Sequence, residues 1–373
     1  MAKYRFDQVA RECRTTFKGD KNGMPIVGLE HLVPNEMLVR DFEVDTENTF
    51  TKSFKQGQIL FGRRRAYQQK AGVAQFDGIC SGDITIIEAI PGKIEPNLLP
   101  FIVQNEQFFE HAVQGSAGSL SPRVKWEHLA SYEIELPTME KQRVLADKLW
   151  TAYRLKESYK KLLAATDEMV KSQFIEMFGS VDDNPKSYDI KKVGDFAECF
   201  AGATPSTKIS SYWDNGNIPW MSSGEVHKAR VQDTDAKITQ QGYDGCSTKM
   251  VPIHSIVIAL AGQGKTRGTV AINDIELCTN QSLCAIVPNE EVNYEYLFHN
   301  LRGRYKELRS MSGDVDGRGG LNLKHIQSIK VIVPPMSEQM KFVSIARQAD
   351  KSGFELRKSI DAIDAVIKSL INS

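Results

Sequence analysis

Four stretches of the chain carry side chains able to hold a polyanion. In the first half, FGRRRAYQQKAG (61–72) sets Arg63, Arg64, Arg65 and Lys70 close together, with Tyr67 interleaved and no acidic residue among them. Such a basic loop tip suits phosphate oxygens. In the second half, AGQGKTRG (261–268) places Gln263, Lys265, Thr266 and Arg267 on a glycine-hinged loop after an apolar run. Arg, Lys and Gln are the side chains that read base edges or grip phosphates. A third stretch, 302–330, holds seven basic residues (Arg302, Arg304, Lys306, Arg309, Arg318, Lys324, Lys330) against three acidic ones (Glu307, Asp314, Asp316) around the glycine-rich SGDVDGRGG. Its first-half counterpart, GSAGSLSPRVKW (115–126), offers Arg123, Lys125 and Trp126. The candidate DNA contacts are Arg63, Arg64, Arg65, Tyr67, Lys70, Arg123, Lys125, Gln263, Lys265, Thr266, Arg267, Arg318 and Lys324. The competing reading of each loop is a solvated turn.

Catalytic patterns fail one by one. A P-loop needs a glycine five positions before Gly264 of Gly264-Lys265-Thr266, and that position is Ala259, so the backbone cannot arch around a phosphate. The chain has no H-E-x-x-H and no G-x-S-x-G. Asn184-Pro185 lacks the aromatic residue that would stack a flipped base. DVDG lacks calcium-loop spacing and its terminal Glu. His128 and His325 each precede a short apolar run, which suits structure better than catalysis. Cys278 and Cys284 read as core thiols. No catalytic residue, cofactor site or metal site is expected.

The 373 residues suggest two domains. Lys plus Arg equals Asp plus Glu at 47 each, which excludes a uniformly basic nucleic-acid coat and an acidic disordered tail. The six cysteines are scattered without a C-x-x-C pair, arguing against disulfides and structural zinc and for a reducing cytoplasm. The N-terminal residues do not read as a signal peptide, and no apolar window is long enough to span a membrane.

The elements that must position these loops repeat. At an offset of 197, HLASYEIELPTMEKQ (128–142) aligns with HIQSIKVIVPPMSEQ (325–339), without a gap. Eleven identities fall in the 47 positions from 128 to 174, including Pro137/Pro334, Met139/Met336 and Gln142/Gln339; chance gives roughly three. Each copy reads as a variable globular part, a short strand ending in Pro, then a long helix. The globular parts are dominated by short apolar runs such as QILFG (58–62), DITIIEA (83–89), SIVIALAG (255–262) and LCAIVP (283–288), with helical stretches at 97–114 and 293–310. That mixture is an α+β pattern. In the C-terminal helix, Phe342, Ala346, Ala349, Gly353, Leu356, Ile360, Ile363, Ile367 and Leu370 form a heptad seam. The central helix has a less pure seam, flanked by Leu155, Leu162, Met169 and Phe174, a wider stripe that suits more than one neighbour. A helix of about 40 residues is ~60 Å long, so the two are expected to pack on each other, antiparallel. SVDDNPKSYDIKK (180–192) reads as a linker.

This pattern resembles the DNA-specificity (S) subunit of type I restriction-modification systems. The resemblance rests on IELPTMEKQRVLADKL (134–149), VIVPPMSEQMKFVSIA (331–346) and AGQGKTRG (261–268), and covers essentially the whole chain. It departs in one place, since the second helix start has its Glu one position later than Glu140. The resemblance implies an α+β pseudo-twofold repeat with two target-recognition domains, 1–138 and 180–336. Two antiparallel coiled-coil spacer helices, 139–179 and 337–373, would separate them. Each domain would read half of a bipartite site in double-stranded DNA. The helices would dock two methyltransferase (M) subunits, joined by restriction (R) subunits, with S-adenosylmethionine, ATP and magnesium on those partners. The alternatives are the specificity portion of a methylation-only or related defence system, and a protein scaffold that touches no DNA.

Overall fold

The computed structural model describes residues 2–117, 122–262, 264–312 and 319–372. Its contacts divide into two compact units, one of Met1–Lys161 with Arg357–Ser373 and one of Leu162–Leu356. Each unit is α+β, and each contains one part of either long helix.

The first unit is built on a five-stranded sheet in the order Ala10–Cys13, Ile84–Ala89, Ile59–Gly62, Ala71–Ala74, Leu38–Val39. Its pairs are antiparallel except the last, which is parallel. Ile59, Phe61 and Ile87 enter one core with Phe101 and Phe108, while Leu60, Ile84 and Ile86 enter another with Val27 and Phe54. A sheet covered on both faces needs apolar residues at consecutive positions, which is why these strands read as unbroken apolar runs.

The second unit repeats the order with Ala197–Ala201, Leu283–Pro288, Ile256–Ala259, Val270–Asn273 and Arg230–Val231. Its two faces also enter separate cores, Ile256, Ile258 and Ile286 on one side and Val257, Ala259 and Ala285 on the other. The outer three-stranded sheets diverge. In the first unit the middle strand is Gly78–Cys80, and in the second it is Ile218–Met221, so the third strand joins a different member of the parallel pair.

Each unit is closed by an antiparallel pair next to a long helix: Ala2–Arg5 with Glu133–Leu136, and Asp189–Lys192 with Lys330–Val333. The helices then start at Met139 and Met336 and run to Phe178 and Ile371, the second unbroken through Gly353. One turn in, the repeat's shared glutamines are buried. Gln142 accepts the Glu95 N–H at 2.9 Å and donates to the Pro137 carbonyl at 2.9 Å. Gln339 accepts the Asn293 N–H at 2.8 Å and donates to the carbonyls of Glu291 at 2.9 Å and Pro334 at 2.8 Å. An amide side chain supplies both a donor and an acceptor, so glutamine can serve both needs where a charged or apolar residue cannot.

The heptad seam of the second helix is buried from Phe342 to Gly353 and half-buried from Leu356 to Leu370. Gly179, with φ +75°, ends the first long helix as expected, its N–H donating to Ile175. The stretch read as a polar linker is instead a folded turn. Ser180 and Asp183 exchange backbone bonds at 2.8 and 3.2 Å, and Asn184 brackets Tyr188 with bonds at 2.7 and 3.1 Å. Asx chemistry ties such a polar run to itself.

Gln339→Ala would strand a buried N–H and two carbonyls. An unsatisfied buried polar group costs about 1–3 kcal/mol, so the urea midpoint should fall clearly, and fall less for Gln142→Ala, which breaks fewer bonds. Urea unfolding followed by circular dichroism reads both, and an unmoved Gln339→Ala midpoint would refute the role.

Candidate nucleic-acid interface

In the first unit the two basic loops meet. Arg63, Arg64 and Arg65 leave the end of strand Ile59–Gly62. The Arg65 N–H donates to Pro122 at 2.9 Å, the Val124 N–H donates to Arg63 at 2.9 Å, and Arg64 bridges Arg123 across the pair. Residues about 60 apart in sequence therefore form one surface.

That surface is not purely basic. Asp83, at the turn before strand Ile84–Ala89, takes two bonds from the Arg123 guanidinium at 2.7 and 3.3 Å and lies 3.6 Å from Arg64. The hydrogen bond from Arg123, followed by the nearby guanidinium charges, holds the Asp83 carboxyl below the usual range against the effect of burial. Lys70 points its ammonium at the Leu29 carbonyl, 2.7 Å away. The Arg63 Nε is buried without a hydrogen-bond partner. Arg65 (in the left-handed region at φ +55°), Tyr67 at 58% exposure and Lys125 are turned outward. The sequence shows the arginines but not Asp83, because nothing in its local pattern marks it as their partner.

In the second unit, the loop after strand Ile256–Ala259 is pinned at several points. Gly264 and Gly268 adopt φ +65° and +81°, conformations that side-chain-bearing residues rarely take. Arg309 donates to the Gly264 carbonyl, and Thr269 donates to the Lys265 carbonyl at 2.7 Å. Thr266 sits 3.2 Å from the His227 ring. Lys265 is exposed. Arg267 is not, being 3% exposed and donating to the Gly319 carbonyl. Its guanidinium ties the loop down from inside rather than facing solvent. Gln263 and Arg318 lie outside the described residues. Lys324 is exposed on helix Leu323–Ser328, which Asn322 caps.

Two other basic residues of 302–330 are paired. Arg302 meets Asp167 at 3.3 Å, and Arg304 meets Glu307 at 2.7 Å and the Lys330 carbonyl at 2.6 Å. His128 has a structural place, stacked on His111 with centroids 4.2 Å apart and each ring bonded to the other's carbonyl. Burial pushes the Cys278 thiol up to about 11, as suits a core thiol. Among the described residues no cluster of three or more His, Cys, Asp or Glu could hold a metal, and no helix is long and apolar enough to cross a membrane.

Two like units, each sending a glycine- or arginine-rich loop from the same central strand, set the frame for comparison. Residues 185–363 match the family model described as the type I restriction modification DNA specificity domain. The EcoR124I/EcoR124II specificity subunit of Escherichia coli is 27% identical over 43% of this chain and 40% of its own length. A sequence assigned as the MjaX specificity subunit of Methanocaldococcus jannaschii is 20% identical over 95% of this chain and 86% of its own. The second half of the chain is similar to the type I restriction-modification DNA specificity domain. The alignments to the first relatives span less than half of their length, 40% and 44% for the E. coli protein and the M. jannaschii MjaIX specificity subunit. The same fold appears in the S subunit from M. genitalium, with a TM-score of 0.59 at 13% identity over 99% of this chain and 94% of that one. A chain from a study of complex assembly and conformational transition of the type I R-M system gives 0.58 at 14% identity, covering 100% and 96%.

The Asp83 pairing has a pH signature. Its folded pKa is depressed, so its stabilisation is present above the unfolded carboxylate value of about 3.9 and fades as pH falls through the lower folded value. Asp83→Asn should be less stable than the parent at pH 7, with the gap closing in strong acid. Thermal melts across that range read it; a gap constant down to the most acidic melt would mean no ion pair.

Proposed function

We propose that this chain is the non-catalytic DNA-recognition subunit of a type I restriction-modification complex. The observation that carries this reading is the duplicated sheet, whose equivalent strand end launches a candidate contact loop in each unit, in a chain whose residues 185–363 match the DNA specificity domain. Residues 1–138 and 180–336 act as target-recognition domains, each reading one half of a bipartite site in double-stranded DNA. The helical segments 139–179 and 337–373 set the spacing between half-sites and dock two M subunits, which R subunits join. S-adenosylmethionine, ATP and magnesium belong to those partners.

The outward-facing Arg65, Tyr67, Lys125, Lys265 and Lys324 are the first candidates for DNA contact. Arg64 and Arg123 contribute through a surface that Asp83 orders, and Arg63, Lys70, Thr266 and Arg267 support the loops. Leu155, Leu162 and Met169, seven residues apart on one helix, are 45%, 52% and 49% exposed, which supports docking of a helical partner there.

Each phosphate contact contributes about 0.9 to the slope of log affinity against log salt. Lys265→Ala in the assembled methyltransferase complex should reduce that slope by about one contact, whereas Arg267→Ala should lower the thermal midpoint. Fluorescence anisotropy with duplex DNA at several salt concentrations separates them. If Arg65→Ala, Lys125→Ala and Lys265→Ala together left affinity and slope unchanged, the assigned surface would be wrong.

The spacer role is tested by length. Four residues added to each long helix extend it by ~6 Å, about two base pairs of B-DNA at ~3.4 Å each. Methylome sequencing should show the gap between half-sites widened by about two; an unaltered gap would refute the spacer.

A further inference from the structure

The turn that enters strand Leu283–Pro288 in the second unit has a twin in the first, ahead of strand Ile84–Ala89. In one, the Asn280 side chain accepts the Ser282 N–H at 3.1 Å; in the other, the Ser81 hydroxyl accepts the Asp83 N–H at 3.2 Å. The Asn280 N–H donates to the Met221 carbonyl at 3.1 Å, and the Ser81 N–H to the Val27 carbonyl at 3.0 Å. The Leu260 N–H donates to the Ser282 carbonyl at 2.8 Å, and the Arg63 N–H to the Asp83 carbonyl at 2.9 Å. Each turn is therefore tied to the root of its unit's basic loop. These bonds match one for one, and the tip residue is Gln281 in one turn and Gly82 in the other.

The fold asks for no side chain at that tip, because a Cβ placed on Gly82 would meet nothing within 4 Å. Gln281 is nevertheless oriented. It is exposed, and the exposed Thr204 donates its hydroxyl hydrogen to the Gln281 Oε1 at 2.5 Å. The segment carrying Thr204 is fastened without that bond: the Trp220 indole N–H donates to the Ala203 carbonyl at 3.0 Å, and Pro205 is buried. The Gln281 amide nitrogen bonds to none of the described residues. An uncharged amide held in one orientation, with donor and acceptor side by side, suits a base edge better than a phosphate.

We infer that Gln281 is a base-reading residue of the second unit, that Thr204 is its positioning residue, and that the base read is adenine through its major-groove edge. The inference rests on the DNA-recognition function proposed above. With one lone pair of Oε1 taken by Thr204, the amide keeps two N–H donors and one acceptor site. Adenine presents N7 as an acceptor and its N6 amino group as a donor, which glutamine meets with two bonds. Guanine presents two acceptors, N7 and O6, and would set O6 against Oε1.

The test uses the assembled methyltransferase complex and competition binding with duplexes in which each base pair of both half-sites is exchanged in turn. Gln281→Ala should lose about tenfold discrimination at a single adenine position of one half-site. Gln281→Glu, which only accepts, should turn the preference there toward cytosine, whose N4 amino group donates. Thr204→Val should lose part of the same preference, an effect that a merely structural threonine would not confine to one base pair. Unchanged discrimination in Gln281→Ala, or a loss spread over many positions with a lowered thermal midpoint, would overturn the assignment. A single-position loss at a base other than adenine would overturn the adenine reading. A parent complex that binds every duplex alike would overturn the proposed function itself, and this inference with it.

Discussion

The join between each long helix and its globular body rests on a glutamine one turn inside the helix, Gln142 or Gln339, whose amide reaches backbone groups of that body. Water cannot replace these partners in a buried place, so each amide must stay bonded for the helix to leave at one angle. Around Gln339 the constraint reaches furthest. Asn293, whose N–H it receives, also caps helix Tyr294–Gly303 with its side chain, and Glu295 of that helix is gripped by Arg230 at 2.6 Å and Arg347 at 2.5 Å. Burial pushes Glu295 up, but the two arginines outweigh it and keep the carboxylate charged. Sheet, short helix and long helix are thereby tied at neighbouring points.

The two basic loops depend on the same rigidity. Both leave a central strand whose two faces are buried, and both are fixed at their base by groups distant in sequence: Asp83 for the arginines at 63–65, Arg309 and Arg267 for the loop at 261–268. Some basic residues hold the loop in place while others face solvent. A net charge of zero is therefore compatible with local positive tips.

Much of this was legible in the sequence. The central strands were readable because burial on both faces leaves an uninterrupted apolar run, and the long helices because their seams hold over several heptads. The duplication was readable because Pro137/Pro334 and Gln142/Gln339 recur in one ungapped register. The outer sheets were not readable, since strands of two to four residues carry no usable periodicity. Nor was the division of labour among the basic residues. Arg267 and Lys265 look alike in a string of letters; only packing turns one inward. The folded turn after Phe178 passed for a linker because its bonds run between its own polar groups.

Both compact units draw on both long helices, and the border between them falls at Lys161 and Leu162, in mid-helix. A recombinant made by exchanging chain segments at that border would splice two seams whose apolar partners were chosen separately. A crossover at Pro137 or Pro334, ahead of the helix and its glutamine, would instead exchange a globular part while leaving each helix whole. Modular inheritance in such a molecule should therefore follow the proline junctions rather than the outlines of its compact bodies.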